Sequence, residues 1–181
     1  YWLDFAIEKK SDFLAMDLAD NELAFGPAPF VPLFEKAKSE GFFVTIHAGE
    51  AEGPQAAQNI RDSIELLHAD RIGHGVRILE DPSVLDFVRD RGTVLELCPT
   101  SNWLSGVCAT KESHPFRAIM EAGIKTTVNT DDPGIMNIDI IDEYRLLRDG
   151  LAFSESEFKQ INQWARDASF LPEERKATVW P

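Results

Sequence analysis

No apolar run in this chain of 181 residues approaches the roughly 20 residues needed to span a bilayer. No basic stretch followed by an apolar one marks it for export either. Positive charge is scarce: 18 Lys and Arg stand against 31 Asp and Glu, a net charge of −13. Nucleic acid and anionic membrane surfaces both require a basic patch, so neither is expected as a partner. Cysteine is nearly missing, and Cys98 and Cys108 form no Cys-x-x-Cys pair. A structural disulfide is therefore not expected, and a reducing cytosol (a cytoplasmic location) is the simplest home. An initial methionine is lacking, and Pro181 falls a few residues into what starts as a helix. A fragment of a longer protein is the expectation.

What is present is an ordinary globular composition, 44% hydrophobic and 27% charged, with no low-complexity run. A chain of this length can bury a real core as one domain, residues 1–181. Apolar runs at Phe13–Ala19, Phe42–Ala48, Arg71–Val76, Thr93–Cys98 and Thr126–Thr130 read as buried strands. Helical spacing occupies 1–10, 31–39, 55–67, 115–122, 139–148 and 154–168, with stops at Gly41 and Gly123. Asp81-Pro82 opens a helix that Gly92 ends, and Ser154-Glu-Ser-Glu157 is a capping box. Residues 99–113 read as a polar loop. Strand and helix alternate at intervals of roughly 25 to 35 residues, which means parallel βα units. A doubly wound sheet and part of an eight-fold barrel both fit, and in either the chemistry sits at the C-terminal strand ends.

Chemistry-bearing residues gather at those ends. Val44-Thr-Ile-His-Ala-Gly-Glu50 carries His47 and Glu50; Arg71-Ile-Gly-His-Gly75 carries His74; Thr127-Val-Asn-Thr-Asp-Asp132 carries Asp131 and Asp132. Each has a plainer alternative: a packed strand-end imidazole for His47, a helix-capping surface acid for Glu50, a tight turn for His74, a solvated turn for the two acids. Adjacent acids at the end of an apolar strand repel each other and lose solvation, which a cation would relieve. Imidazole with carboxylate suits zinc with a position left open for water. Glu50 in a cleft would be placed to donate a proton. His68 at a helix end and His114 before Pro115 read as structural, Cys98 as packed, and Trp103 as a loop aromatic that could line a cavity.

Together these segments resemble the adenosine deaminase family of metal-dependent amidohydrolase barrels. The resemblance rests on Met16-Asp-Leu-Ala19 with Glu22, Thr45-Ile-His-Ala-Gly-Glu50, Arg71-Ile-Gly-His-Gly75, Cys98-Pro-Thr-Ser-Asn102 and Asn129-Thr-Asp-Asp-Pro133. These occur in the family's order and cover nearly the whole chain. The fold it implies is α/β, a partial TIM (β/α)8 barrel made of about the last five of eight βα units. The activity it implies is hydrolytic deamination of adenosine or deoxyadenosine to inosine and ammonia, a step of purine salvage. By motif, His47 and Asp131 match zinc ligands, Glu50 the residue that protonates purine N1, and His74 the histidine that orients the zinc-bound hydroxide. Asp132 matches the acid that hydrogen-bonds purine N7. Asp20 stands where the family usually has a glycine that meets the purine, so it is a substrate-contacting position that departs from the pattern. The family's other two zinc ligands form a His-x-His pair, and none occurs here.

A purine nucleoside is thus the expected partner and Zn2+ the expected cofactor. The isolated chain is expected to bind zinc weakly and to turn over poorly. The competing readings are an adenine deaminase, a non-catalytic purine-binding homologue, and a metal-free half-barrel scaffold.

Overall fold

The computed structural model describes residues 1–19 and 21–180. The expectation placed on Asp20 falls outside the described residues. Five strands, β1 (Ala15–Leu18), β2 (Phe43–Ala48), β3 (Arg71–His74), β4 (Val94–Leu97) and β5 (Thr126–Val128), form one sheet in the order β1-β2-β3-β4-β5. Every neighbouring pair is parallel. A doubly wound sheet reverses strand order at a switch point. This sheet never reverses, so the barrel arc is the alternative that holds. The helices are α1 (Trp2–Glu8), α2 (Val31–Ser39), α3 (Ala56–Leu66), α4 (Pro82–Arg91), α5 (Pro99–Leu104), α6 (Phe116–Glu121), α7 (Pro133–Met136), α8 (Ile140–Asp149), α9 (Glu155–Ala168) and α10 (Glu173–Val179). Among the described residues, no helix is long and apolar enough to cross a membrane.

Side chains alternate across each strand, and here the two faces differ in kind. Val44, Ile46, Ile72, Leu95 and Leu97 are fully buried against Phe34 of α2, Ile60 and Ile64 of α3, Val84 and Val88 of α4, and Ile119 of α6. Burial of each such side chain stabilises by about 1.5–3 kcal/mol. By register, Asp17, Thr45, His47, Arg71, Glu96 and Thr127 share the other face. At its N-terminal end Thr45 Oγ1 donates to Glu96 Oε2 at 2.7 Å, and Arg71 Nε lies 2.9 Å from Glu96 Oε1. The Arg71 guanidinium sits 3.8 Å over the Phe170 ring, which itself stacks on Phe43 at 4.3 Å. The link between α9 and α10 therefore closes the bottom of this face, and the chemistry is left to the top.

Local signals behave as their chemistry dictates. Asp81 accepts from the Ser83 and Val84 amides with Pro82 at the first helical position, and Gly92 ends α4 in the left-handed region. Two expectations need correction. β1 is half-exposed rather than buried, and Phe13 and Leu14 just before it project into solvent. The segment 99–113 is not an open loop: α5 forms directly after β4, with Pro99 at its first position and the Glu143 carboxylate accepting the Thr100 amide at 3.2 Å.

The capping box of α9 closes reciprocally, Ser154 Oγ accepting from the Glu157 amide and Glu157 Oε2 from the Ser154 amide. The bonds that the Ser154 amide and hydroxyl donate to Glu157 Oε2, helped by Arg117, lower the Glu157 pKa to about 2. A carboxylate with a depressed folded-state pKa adds stability above its unfolded pKa and loses it as pH falls through the folded value. Glu157→Gln should therefore cost about 1 kcal/mol at pH 7, a value discounted for solvent screening. The gap to the parent chain should close as pH drops from about 4.5 toward 2, read from urea midpoints across that range. A gap that stays constant with pH would rule this account out.

Candidate active site

His47, near the end of β2, lies across the sheet from Gly73 of β3. A Cβ on Gly73 would stand 3.3 Å from His47 Cγ and Nδ1, so glycine gives the ring its room. On the other side Asp17 of β1 takes the ring's Nδ1–H, with Oδ2 at 2.9 Å and Oδ1 at 3.1 Å. That hydrogen bond raises the His47 pKa against the opposing effect of burial. It also fixes the tautomer and leaves Nε2 as the lone pair, the arrangement typical of a metal-ligating histidine with its carboxylate partner.

The turn after β2 is held from below. Gly49 is left-handed (φ 69°), and a Cβ there would strike Ile60 Cδ1 at 2.4 Å. The Glu22 carboxylate accepts the amides of Gly49, Glu50 and Ala51 at 2.7–2.8 Å, and Asn59 Nδ2 joins at 3.2 Å. This cradle sets the direction of Glu50. Glu50 does not cap α3, whose N-cap is Gln55. Its Oε1 accepts from Asn102 Nδ2 at 3.0 Å and from Ser105 Oγ at 3.4 Å.

His74 ends β3 with φ 61°, and Asp131 follows β5 with φ 60°, both left-handed without being glycine. Such backbones cost on the order of 1–3 kcal/mol each and gather at functional sites. His74 is buried, its Nε2 3.6 Å from Glu50 Oε2 and 3.9 Å from Asp131 Oδ2. Burial lowers its pKa, against the opposing charges of Glu50 and Asp131. The His47 and His74 rings are 5.1 Å apart. Ser101 Oγ donates to Asp131 Oδ2 at 2.6 Å. A ligand atom from each of His47, His74 and Asp131 lies within 4.8 Å of the others, so the three can face one cation. These groups line a cleft of about 350 Å³ with Gly73, Glu96, Cys98 and Thr130, a size that takes a small molecule. On the far side of His47 a second hollow of about 200 Å³ is walled by Leu18, Glu22, Phe25 and Phe30.

Four of the residues singled out from sequence, His47, Glu50, His74 and Asp131, thus meet. Asp132 is not drawn into their network: it stands exposed at the head of α7, where its carbonyl accepts the Ile135 and Met136 amides while its carboxylate makes no hydrogen bond or ion pair among the described residues. The cysteine reading holds, since Cys98 is buried and burial pushes its thiol well above the usual range, which removes it as a nucleophile. Trp103 belongs to α5, under the Lys111 ammonium, and lines neither hollow. His114 was read as purely structural, yet its Nε2 lies 3.0 Å from Asn102 Oδ1 and so it reaches the site. Asp17, Glu22, Ser101 and Asn102 are contributors that residue-type reasoning passed over. All four lay inside recognisable motifs.

Residues 4–180 match the family described as adenosine deaminase. An adenosine deaminase of Shewanella loihica is 39% identical over 176 residues, 97% of this chain and 52% of the relative. Among solved structures, an adenine deaminase from Arthrobacter aurescens superposes with a TM-score of 0.91 at 29% identity, covering 98% of this chain and 54% of that one. An amidohydrolase from Burkholderia ambifaria with bound Zn gives 0.87 at 26% identity, covering 98% and 49%. The chain spans about half the length of the relatives it matches, and its five units are part of a (β/α)8 barrel.

If Asp17 orients His47 as a ligand, Asp17→Asn should weaken zinc binding to the chain about 10- to 100-fold. It should also move His47 protonation to lower pH, because the bond that raises it is lost. Calorimetric titration with zinc and NMR titration of the His47 ring check the two effects. Unchanged zinc affinity would separate Asp17 from the metal.

Proposed function

The chain belongs to the adenosine deaminase family, and from that premise we propose that it forms the catalytic half of a zinc-dependent hydrolase that deaminates a 6-aminopurine nucleoside, adenosine first, giving inosine and ammonia. The observation that carries this reading is the meeting of Glu50 and His74 with His47 and Asp131 at one strand rim. A metal with no carboxylate beside it would suit a structural site. A free carboxylate with an imidazole beside it suits proton transfer.

The donor set fits zinc: an imidazole lone pair oriented by Asp17 and a carboxylate oriented by Ser101. When bound, zinc would lower the pKa of a water to about 7 and so make hydroxide available at neutral pH. His47 and Asp131 would hold it. Glu50, tethered by Asn102, delivers a proton to the purine ring nitrogen N1, which breaks the ring's aromaticity and opens C6 to attack. His74 directs the attacking oxygen by hydrogen bonding. Asp132, exposed at the head of α7, is free to reach a substrate nitrogen such as N7, and by motif alone Asp20 is assigned to substrate contact. The proton still carried by the attacking oxygen then passes to the 6-amino group of the substrate, which leaves as ammonia as the C6 carbonyl forms. Two unbridged thiols suit a reducing cytosol.

Adenine is the second substrate to weigh, because one of the superposing structures is an adenine deaminase. The higher sequence identity lies with an adenosine deaminase, and this favours the nucleoside. In the whole protein, turnover followed by the fall of purine absorbance should be at least about 100-fold more efficient on adenosine than on adenine, about 2.7 kcal/mol of discrimination. Glu50→Gln should reduce kcat by about 10²- to 10⁴-fold. Equal or greater efficiency on adenine would move the assignment to the base, and an undiminished Glu50→Gln enzyme would remove Glu50 as the proton donor.

A further inference from the structure

A buried chain of hydrogen bonds runs from the start of α6 into the cleft, and each link has one permitted direction. The Phe116 backbone N–H can only donate, and it meets His114 Nδ1 at 3.1 Å. Burial lowers the His114 pKa to about 3, so the ring is neutral and its single proton sits on Nε2. That nitrogen faces Asn102 Oδ1 at 3.0 Å. The Asn102 amide, fully buried, is thereby held with its oxygen toward His114 and its NH2 toward the cleft. One N–H reaches Glu50 Oε1 at 3.0 Å and the other His74 Nδ1 at 3.1 Å. His74 Nδ1 must then accept, which leaves the His74 proton on Nε2, the atom that looks toward Glu50 and Asp131.

We propose that Asn102, locked by His114, is a positioning residue that presents His74 to the cleft as an Nε2–H donor and holds the Glu50 carboxylate beside it. This deepens, and rests on, the reading of Glu50 and His74 as the groups that act on substrate. It also divides the labour between two neighbouring imidazoles that residue type alone cannot distinguish. His47 gives its Nδ1–H to Asp17 and keeps a lone pair at Nε2. His74 accepts at Nδ1 and keeps a proton at Nε2. Of the three groups that can face a cation, His74 is therefore the one without a lone pair to offer. A single buried amide, whose two ends cannot be exchanged without opposing two N–H donors, writes that difference.

The tautomers can be read without substrate, by long-range 1H–15N correlation spectra of the chain carrying 15N-histidine at neutral pH, each ring assigned by replacing it in turn. Both His74 and His114 should show the Nε2–H pattern. An Nδ1–H pattern, or an averaged one, at His74 overturns the proposal with no mutation needed. Asn102→Leu should convert the His74 signal to an average of both tautomers. His114→Phe, which keeps Asn102 but frees its amide to turn, should do so in part and serves if the first variant does not fold. A His74 tautomer unchanged in a folded variant overturns the proposal. In the whole protein, Asn102→Leu should lower kcat about 10- to 100-fold with KM changed less than about threefold, the pattern of a group acting through another in the transition state. A rise in KM with kcat preserved would make Asn102 a binding residue and overturn the proposal. Because the NMR arm contains no purine, failure of the deaminase reading and failure of this inference are separate results.

Discussion

The pairing of His47 with Gly73 is the constraint on which the rest of the site depends. Strand side chains alternate, so a slip of one residue would send His47 into the apolar layer and bring Ile46 to the polar face. The apolar layer forbids that slip. Val44, Ile46 and Ala48 are each at most 1% exposed against α2 and α3, and exchanging them for Thr45 and His47 would bury two unpaired polar groups. The hydrophobic core thus does more than hold the sheet together. It decides which face His47 occupies, and the missing Cβ at Gly73 then decides how the ring can lie. Asp17 on the neighbouring strand finishes the task by choosing the tautomer.

The polar face is divided along its length. Toward the N-terminal strand ends, Thr45 donates to Glu96, Arg71 forms an ion pair with it, and Phe170 closes over the guanidinium. Toward the C-terminal ends the carboxylates of Glu50 and Asp131 are met by buried neutral donors instead, the Asn102 amide and the Ser101 hydroxyl. A cation at the bottom and neutral hydrogen-bond donors at the top give two different outcomes. A paired carboxylate is used up by its partner. A carboxylate held by an amide keeps its charge available to a metal or a substrate proton.

Much of this was legible before any coordinates. Strand ends, the parallel βα rhythm and the Asp81 and Ser154 caps follow from periodicity and residue type, because each depends on near neighbours in the chain, and the gathering of His47, Glu50, His74 and Asp131 follows in turn from parallel strands ending on one side. What escaped depends on distant ones. Glu22 reaches the 49–51 amides across 27 to 29 positions, and Asn102 reaches Glu50 across 52. A carboxylate or amide that satisfies a remote turn leaves no period in the sequence, and His114 looked like any helix-opening residue. Nor does an apolar run say what will cover a strand: β1 and β5 both lie at an edge of the sheet, yet β5 is buried and β1 is not. The signal that could have found Ser101 and Asn102 was their place directly after a buried strand, where α5 makes the rim.

That short helix is where the site's strain is balanced. His74 and Asp131 both hold left-handed backbones that a non-glycine residue adopts only when its surroundings insist. The groups that insist come from α5: Asn102 on His74 and Ser101 on Asp131. A helix of six residues has no stability of its own, since nucleation alone outweighs what so few hydrogen bonds return. It must be fixed from outside. Pro99 presets its first turn, the Asn102 amide nitrogen bonds back to Cys98, and the Glu143 carboxylate, wholly buried on α8, accepts the Thr100 N–H. Burial raises the Glu143 pKa while that hydrogen bond opposes the rise, so the residue carries a desolvation cost that the helix N-terminus offsets. The chain of dependence therefore runs from α8 through Glu143 to α5, and from α5 to the two strained residues in the cleft. The helix that carries Asn102 and Ser101 to the cleft is thus anchored at its start by a buried acid on another helix.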